Sequence, residues 1–321
     1  MTPPGLVAAW LLVGPCAAAS LLVQNMHKAQ SRTDAAERLE YYDRAVKAWE
    51  ASDGPALLAQ ARFGRGQALV DLWRFDQAET DLAAALDHDP GNAAAYLARG
   101  KARLREERWS DAAQDLTEYA GRNPSDVAGL ALLARAQLKL GRAKDALSTC
   151  RQAQQTETDS PTGWLCEGDV LMSKRDWLAA DAAFTSADGK AAGHDADALS
   201  ERAVCRAALA RRDAALSDFT AALALHEARG VDLRRRGAPL PEQEEQTRRV
   251  ARSYYGRGRL FETLARTAEA VSDFQKACGL GHDDACARAA ALGAAPPAAK
   301  PAKRRRTPDP RSDPGTRIYG G

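Results

Sequence analysis

Aromatic residues make up only 6 % of this 321-residue chain, and runs of β-branched residues are almost absent. A sandwich or barrel is therefore not expected, and the Ala-rich segments found throughout favour helix. Six cysteines are too few to build a fold of this length from disulfides. His27, His88, His194, His226 and His282 make no metal-ligand pair at helical spacing. No P-loop, dinucleotide fingerprint, nucleophile elbow or zinc-protease motif is present, and the acidic residues are scattered along helical segments. That argues against an enzyme, a resident metal and a cofactor. An excess of charge of one sign is missing too: 45 Lys and Arg against 43 Asp and Glu leave a net value of +2, so no global field argues for nucleic acid as the main partner.

Only one long apolar run exists. After a short polar start at residues 1–4, residues 5–23 (Gly5 to Val23) carry no charge and are long enough to cross a bilayer at roughly 20 residues per span. An uncleaved transmembrane anchor and a removed signal segment both remain open, since Ala17-Ala18-Ala19 suits a protease while a basic start is lacking. At the other end, residues 291–321 turn Pro- and Ala-rich and then basic through Lys303-Arg304-Arg305-Arg306. Such a tail is expected to be disordered.

Comparison of the chain with itself yields the strongest signal. Ala78, Ala112, Ala146 and Ala180 recur at intervals of 34. Four residues after each stands Leu82, Leu116, Cys150 or Phe184, and three further on Ala85, Tyr119, Ala153 or Ala187. Offsets of four and seven share one helical face, so each segment reads as an amphipathic helix with a small residue where a neighbour packs closely. Twelve residues earlier come Gly66, Gly100, Ala134 and Gly168. A mid-helix Gly costs up to about 1 kcal/mol against Ala, so its recurrence predicts two helices too close for a Cβ. Pro90 and Pro124 then end the second helices of their units.

These residues resemble the tetratricopeptide-repeat (TPR) family over about residues 32–290, best in the unit Gly66 through Phe75, Ala78, Leu82, Ala85 and Pro90. Two further units carry Ala203, Ala215, Phe219 and Ala222, then Gly258, Ala270, Phe274 and Ala277, separated by an insertion near 230–247. A partial unit at Tyr42 and Ala45 caps the front, and Pro241 through Leu264 reads as one extended helix. The resemblance implies an all-α fold, a helix-turn-helix superhelix or α-solenoid of about six units, joined here to the N-terminal membrane segment. In such proteins the first helices line a concave groove. One implied ladder is Gln67, Lys101, Arg135 and Asp169, and a second is Asp71, Arg105, Lys139 and Ser173. Lys101, Arg105, Arg135 and Lys139 then form a basic patch suited to an acidic segment of a partner, with ordinary solvated helix faces as the alternative. Tyr255, Arg259 and Glu262 make a second candidate surface, while Phe75, Trp109 and Trp177 read as packing wedges.

Cys150, Cys166 and Cys205 fall where a small apolar residue is ordinary in a helix. The run Ala277-Cys278-Gly279-Leu280-Gly281-His282-Asp283-Asp284-Ala285-Cys286 resembles the helix junction of the cysteine-rich Sel-like repeats. That likeness implies a Cys278–Cys286 disulfide and an oxidising compartment, two reduced buried thiols being the alternative. A metal at Cys278, His282 and Cys286 would want a fourth ligand, and none is evident. Lys28 and Arg32 after the apolar run favour cytosolic repeats, whereas the cysteines favour the outside. The reading preferred is a bacterial cell envelope with periplasmic repeats, the alternative a cytosol-facing anchored array. The expected function is a non-enzymatic, membrane-tethered scaffold or adaptor that binds other proteins in the groove. The alternative is a nucleic-acid or anionic-membrane binder acting through the basic tail.

Overall fold

The computed structural model describes residues 20–294, and every regular element among them is helical. The chain divides into two compact units, residues 1–193 and 194–321. The first contains α1 (Leu21–Gln30), α2 (Ala35–Lys47), a 3₁₀ turn (Ala51–Asp53), α3 (Pro55–Asp71), α4 (Phe75–His88), α5 (Ala93–Arg105), α6 (Trp109–Arg122), α7 (Val127–Lys139), α8 (Ala143–Thr156), α9 (Thr162–Ser173) and α10 (Trp177–Lys190). The second contains α11 (Ala196–Ala208), α12 (Arg212–Arg235), α13 (Leu240–Thr263), α14 (Thr267–Gly279) and α15 (Asp283–Ala291). Within each unit, successive helices pack side by side as hairpins.

The periodic residues lie where the helical faces require. Ala78, Ala112, Ala146, Ala180, Ala215 and Ala270 are fully buried, as are Leu82, Leu116, Cys150, Phe184 and Phe274. The recurrent glycines mark the expected close approaches: a Cβ on Gly66 would stand 2.7 Å from Leu82, and one on Gly168 only 2.5 Å from the Phe184 ring. Turns inside the hairpins share one geometry. Trp73, Glu107, Gly141, Arg175, Ala210 and Ala265 all have positive φ. The amide after each reaches back to the carbonyl five residues earlier, as Arg74 to Leu69 and Arg108 to Arg103. This is a Schellman ending. Only Gly141 adopts the left-handed conformation without a Cβ penalty.

Three boundaries differ from expectation. Among the described residues the first helix begins at Leu21, ahead of residue 32, and its Leu22, Met26 and Ala29 pack with Tyr42, Ala45 and Ala61 in one cluster. The end of the predicted 5–23 segment therefore belongs to α1, whose first turn is capped by Ser20. The rest of that segment, residues 5–19, lies outside the described residues, as does the tail from residue 295. Among the described residues no helix is long and apolar enough to cross a membrane. The insertion near 230–247 is an extension of two helices: α12 and α13 each run 24 residues, parted only by residues 236–239. The predicted long helix from Pro241 is α13.

Candidate functional site

In the first unit the first helices of successive hairpins, α3, α5, α7 and α9, touch their neighbours and present one common face. The residues of both predicted ladders come from these helices. Gln67, Lys101, Arg135 and Asp169 are exposed, and so are Asp71, Arg105, Lys139 and Ser173. Asp71 pairs with Arg38 of α2. Arg105 lies 4.3 Å over the Trp73 ring and Lys139 5.6 Å over Trp109. Such contacts orient a cation on an exposed face without removing its charge. Trp73 and Trp109 thus shape the charged face as well as packing the turn.

Between α7 and α9 this face opens into a cavity of about 370 Å³, lined by Ala131, Leu132, Leu138, Leu165, Cys166 and Val170, with Arg135 and Asp169 among its residues. An apolar hollow with a few charged groups is suited to one side chain of a partner, oriented by ionic contacts. Sequence reasoning placed Arg135 on the face but did not find the hollow. Its walls come from two helices 34 residues apart, whose facing residues have no joint pattern in the chain.

Buried ion pairs that fasten four of the hairpins were also missed. Arg65 and Asp81, Arg99 and Asp115, Arg202 and Asp218, and Arg257 and Asp273 form two-pronged ion pairs, at 2.6–2.7 Å in the first and 2.7–3.0 Å in the last. All four Asp are buried. The separation is 16 residues each time, from a first helix to the second helix of the same hairpin. An Arg followed 16 residues later by Asp, recurring in register, is a signal that could have been found. Arg103 adds a link between hairpins, binding both Glu79 at 2.7 Å and Asp115 at 2.8 Å. Burial alone would raise the Glu79 carboxyl, but Arg103 and Arg108 hold it below its ordinary value. Tyr119 of α6 donates to Asp126, the residue that caps α7, and burial with that bond pushes the phenol up to about 12.

Two disulfides are present, Cys150–Cys166 and Cys278–Cys286. The first joins α8 to α9 and replaces the expectation of two plain packing residues. The second joins α14 to α15, whose Ala285 and Ala289 complete an apolar cluster with Phe274 and Ala277. Beside it Tyr255 stacks on His282 at 4.3 Å, and Arg259 approaches the Tyr255 hydroxyl at 3.4 Å. Tyr255 and Glu262 are half-buried there, so of those three predicted residues only Arg259 is exposed. Among the described residues no group of His, Cys, Asp and Glu could hold a metal ion.

The second unit contains a buried polar cluster with no precedent in the periodic pattern. His226 of α12, 2 % exposed, meets the Ser200 hydroxyl at 3.3 Å and Asp197 at 3.8 Å, both at Nε2. Its Nδ1 faces the Gln246 amide nitrogen at 3.3 Å, and that nitrogen also donates to the His226 carbonyl at 2.8 Å. A catalytic triad needs the carboxylate on the nitrogen opposite the serine. Here both crowd one nitrogen, and the other accepts from an amide, so the cluster fastens α11, α12 and α13 and sets up no nucleophile. Burial lowers the His226 pKa from 6.5, opposed by Asp197 and assisted by Arg249, Arg229 and Arg252. The folded chain then binds fewer protons than the unfolded chain below pH 6.5, so stability is full above that value and falls as pH drops toward the folded pKa. The slope is up to about 1.4 kcal/mol per pH unit. Urea midpoints from pH 7.5 to 5 are expected to fall, and His226→Gln is expected to flatten that fall. An unchanged slope in the variant would assign the acid sensitivity elsewhere.

Sequence profiles described as tetratricopeptide repeat match residues 63–127, 97–161 and 251–280. No curated protein sequence matches the chain. Among solved structures, a tetratricopeptide repeat protein from Parabacteroides merdae superposes with a TM-score of 0.63 at 14 % identity, covering 85 % of this chain and 97 % of that one. A chain of the APC/C hetero-tetramer Cut9–Hcn1 gives 0.58 at 15 % identity, over 84 % of this chain and 48 % of the other. MamA from Desulfovibrio magneticus gives 0.50 at 17 %, over 55 % and 98 %. At these identities the likeness shows the fold alone.

Proposed function

We propose that this tetratricopeptide-repeat chain is a non-enzymatic adaptor that holds a segment of another protein against the first-helix face of α3, α5, α7 and α9. The observation that carries the reading is the coincidence, on one exposed face, of Lys101, Arg105, Arg135 and Lys139 with the apolar hollow between α7 and α9. A partner segment with an apolar side chain next to carboxylates matches both features. The fold is shared with a chain of the Cut9–Hcn1 hetero-tetramer, and fold alone names no partner.

The two disulfides support placement of the repeats in an oxidising compartment, such as the bacterial periplasm. The uncharged run upstream of α1 supports a membrane tether. Fractionation of cells into membrane and soluble pools, with and without residues 5–19, tests the tether: equal partition of both would remove it from the proposal.

The binding reading is tested by affinity capture from native membranes, comparing the natural chain with one carrying Lys101→Glu, Arg105→Glu, Arg135→Glu and Lys139→Glu. All four are exposed, so folding, checked by circular dichroism, is expected to persist. A partner present with the natural chain is expected to fall at least about tenfold with the variant, since each interfacial charge pair lost is worth about 1 kcal/mol or more. The same proteins captured by both would reduce the four cations to a solvated surface.

A further inference from the structure

The seam between α8 and α9 is built unlike the two before it. Sixteen residues apart and in the same register, Leu82 and Ala98 share one apolar cluster at the α4–α5 seam, and Leu116 packs with Leu132 at the α6–α7 seam. At α8–α9 those positions are Cys150 and Cys166, joined covalently with their Cα atoms 5.5 Å apart. The hairpins on either side, α7 with α8 and α9 with α10, both lack the Arg–Asp pair: Leu133 and Thr149, then Glu167 and Ala183, stand at its positions. Glu167 turns to the seam instead, accepting from Arg151 at 3.2 Å and Gln154 at 2.6 Å. Cys166 also lines the hollow between α7 and α9. The α9 wall of the hollow is thus held to α8 by a covalent bond.

We infer that the Cys150–Cys166 pair is a reversible redox modification site controlling the binding face. Oxidised, it locks the α9 wall of the hollow; reduced by a dithiol, it releases that wall and weakens binding. Cys166, itself buried at 9 % exposure, borders the hollow, while Cys150 is at 0 %, so attack comes at the Cys166 sulfur once that wall opens. One thiolate of the reductant bonds to Cys166 Sγ as the S–S bond breaks, and Cys150 leaves as a thiolate that takes up a proton. The second thiolate of the reductant attacks its own sulfur in the mixed disulfide, closing a cyclic disulfide. Cys166 is expelled as a thiolate and protonated, and two electrons have passed from the dithiol to the pair.

This inference rests on the first-helix face being the binding surface, but its readouts need no partner protein. The full chain with Cys278→Ser and Cys286→Ser removes the other bridge. Deuterium exchange over residues 162–173 is then compared before and after dithiothreitol, with alkylation of both thiols to show complete reduction. Exchange there is expected to rise about tenfold or more while residues 75–122 stay unchanged. Anilinonaphthalene sulfonate, whose rings suit the hollow and whose sulfonate suits Arg135, is expected to bind about fivefold more weakly to the reduced chain. Cys150→Leu with Cys166→Ala copies the α4–α5 seam and is expected to keep slow exchange while losing both responses. Unchanged exchange in α9 after full reduction overturns the inference, and so does a faster α9 with unaltered dye affinity. Failure of the four-charge variant to lose a partner bears on the binding-face reading alone, because neither readout depends on it.

Discussion

Asp115→Ala is expected to lower the stability of the first unit by about 3–5 kcal/mol, the usual loss when one partner of a buried ion pair is removed. Asp115 is 1 % exposed and accepts from Arg99 at 2.9 and 2.7 Å and from Arg103 at 2.8 Å. Arg103 keeps Glu79 in the variant. Arg99 loses both prongs of its ion pair and keeps the Tyr96 ring and the more distant charge of Glu79, so most of the loss is the charge left poorly paired there. Urea unfolding of the full chain, followed by circular dichroism, reads the shift in midpoint. The double change Arg99→Leu and Asp115→Thr copies the residues that α7 and α8 carry at the same places, Leu133 and Thr149. It removes the stranded charge and is expected to recover most of the stability. A double variant as weak as the single would show that the loss comes from packing and not from electrostatics.

Phe184→Ala is expected to cost about 3–5 kcal/mol, as for other buried aromatics truncated in a close-packed core. The ring is fully buried and fills the space over Gly168, where an added Cβ would stand 2.5 Å from it. Truncation therefore leaves a hollow that two helices held at fixed spacing by their other contacts cannot close. The opposite change, Gly168→Ala, overfills the same contact at a cost of about 1–3 kcal/mol, offset in part by the better helix propensity of Ala. The hairpin of α7 and α8 shows the volume rule at work, because Ala134 stands there opposite the smaller Cys150. Thermal unfolding of both variants tests the pairing, and a loss below about 1 kcal/mol for Phe184→Ala would mean that the helices collapse onto each other.

The all-helical class, the buried alanines and the long α13 were legible in the chain because each depends on residues within one or two turns of a helix, where side-chain direction follows spacing, and the 34-residue period with its recurrent glycines announced close helix approaches without saying which side chain fills them. The exposure of Gln67, Lys101, Arg135, Asp71, Arg105 and Lys139 was legible for the same reason, once the first helices were taken to share a face. Tertiary structure alone decided the rest. Arg99 and Lys101 sit two residues apart on one helix, yet Arg99 is clamped to a buried Asp while Lys101 faces solvent, and composition does not separate two such cations. Cys150 occupies the same place in its repeat as Leu116 and Phe184, and it became a covalent link only because Cys166 comes opposite it from the next hairpin. His226 lies in the extended part of the second unit, where no repeat of the pattern announces its partners. Periodicity therefore reports which face of a helix is turned inward. What that face meets depends on a second helix across a turn, and so on distances that no local pattern carries.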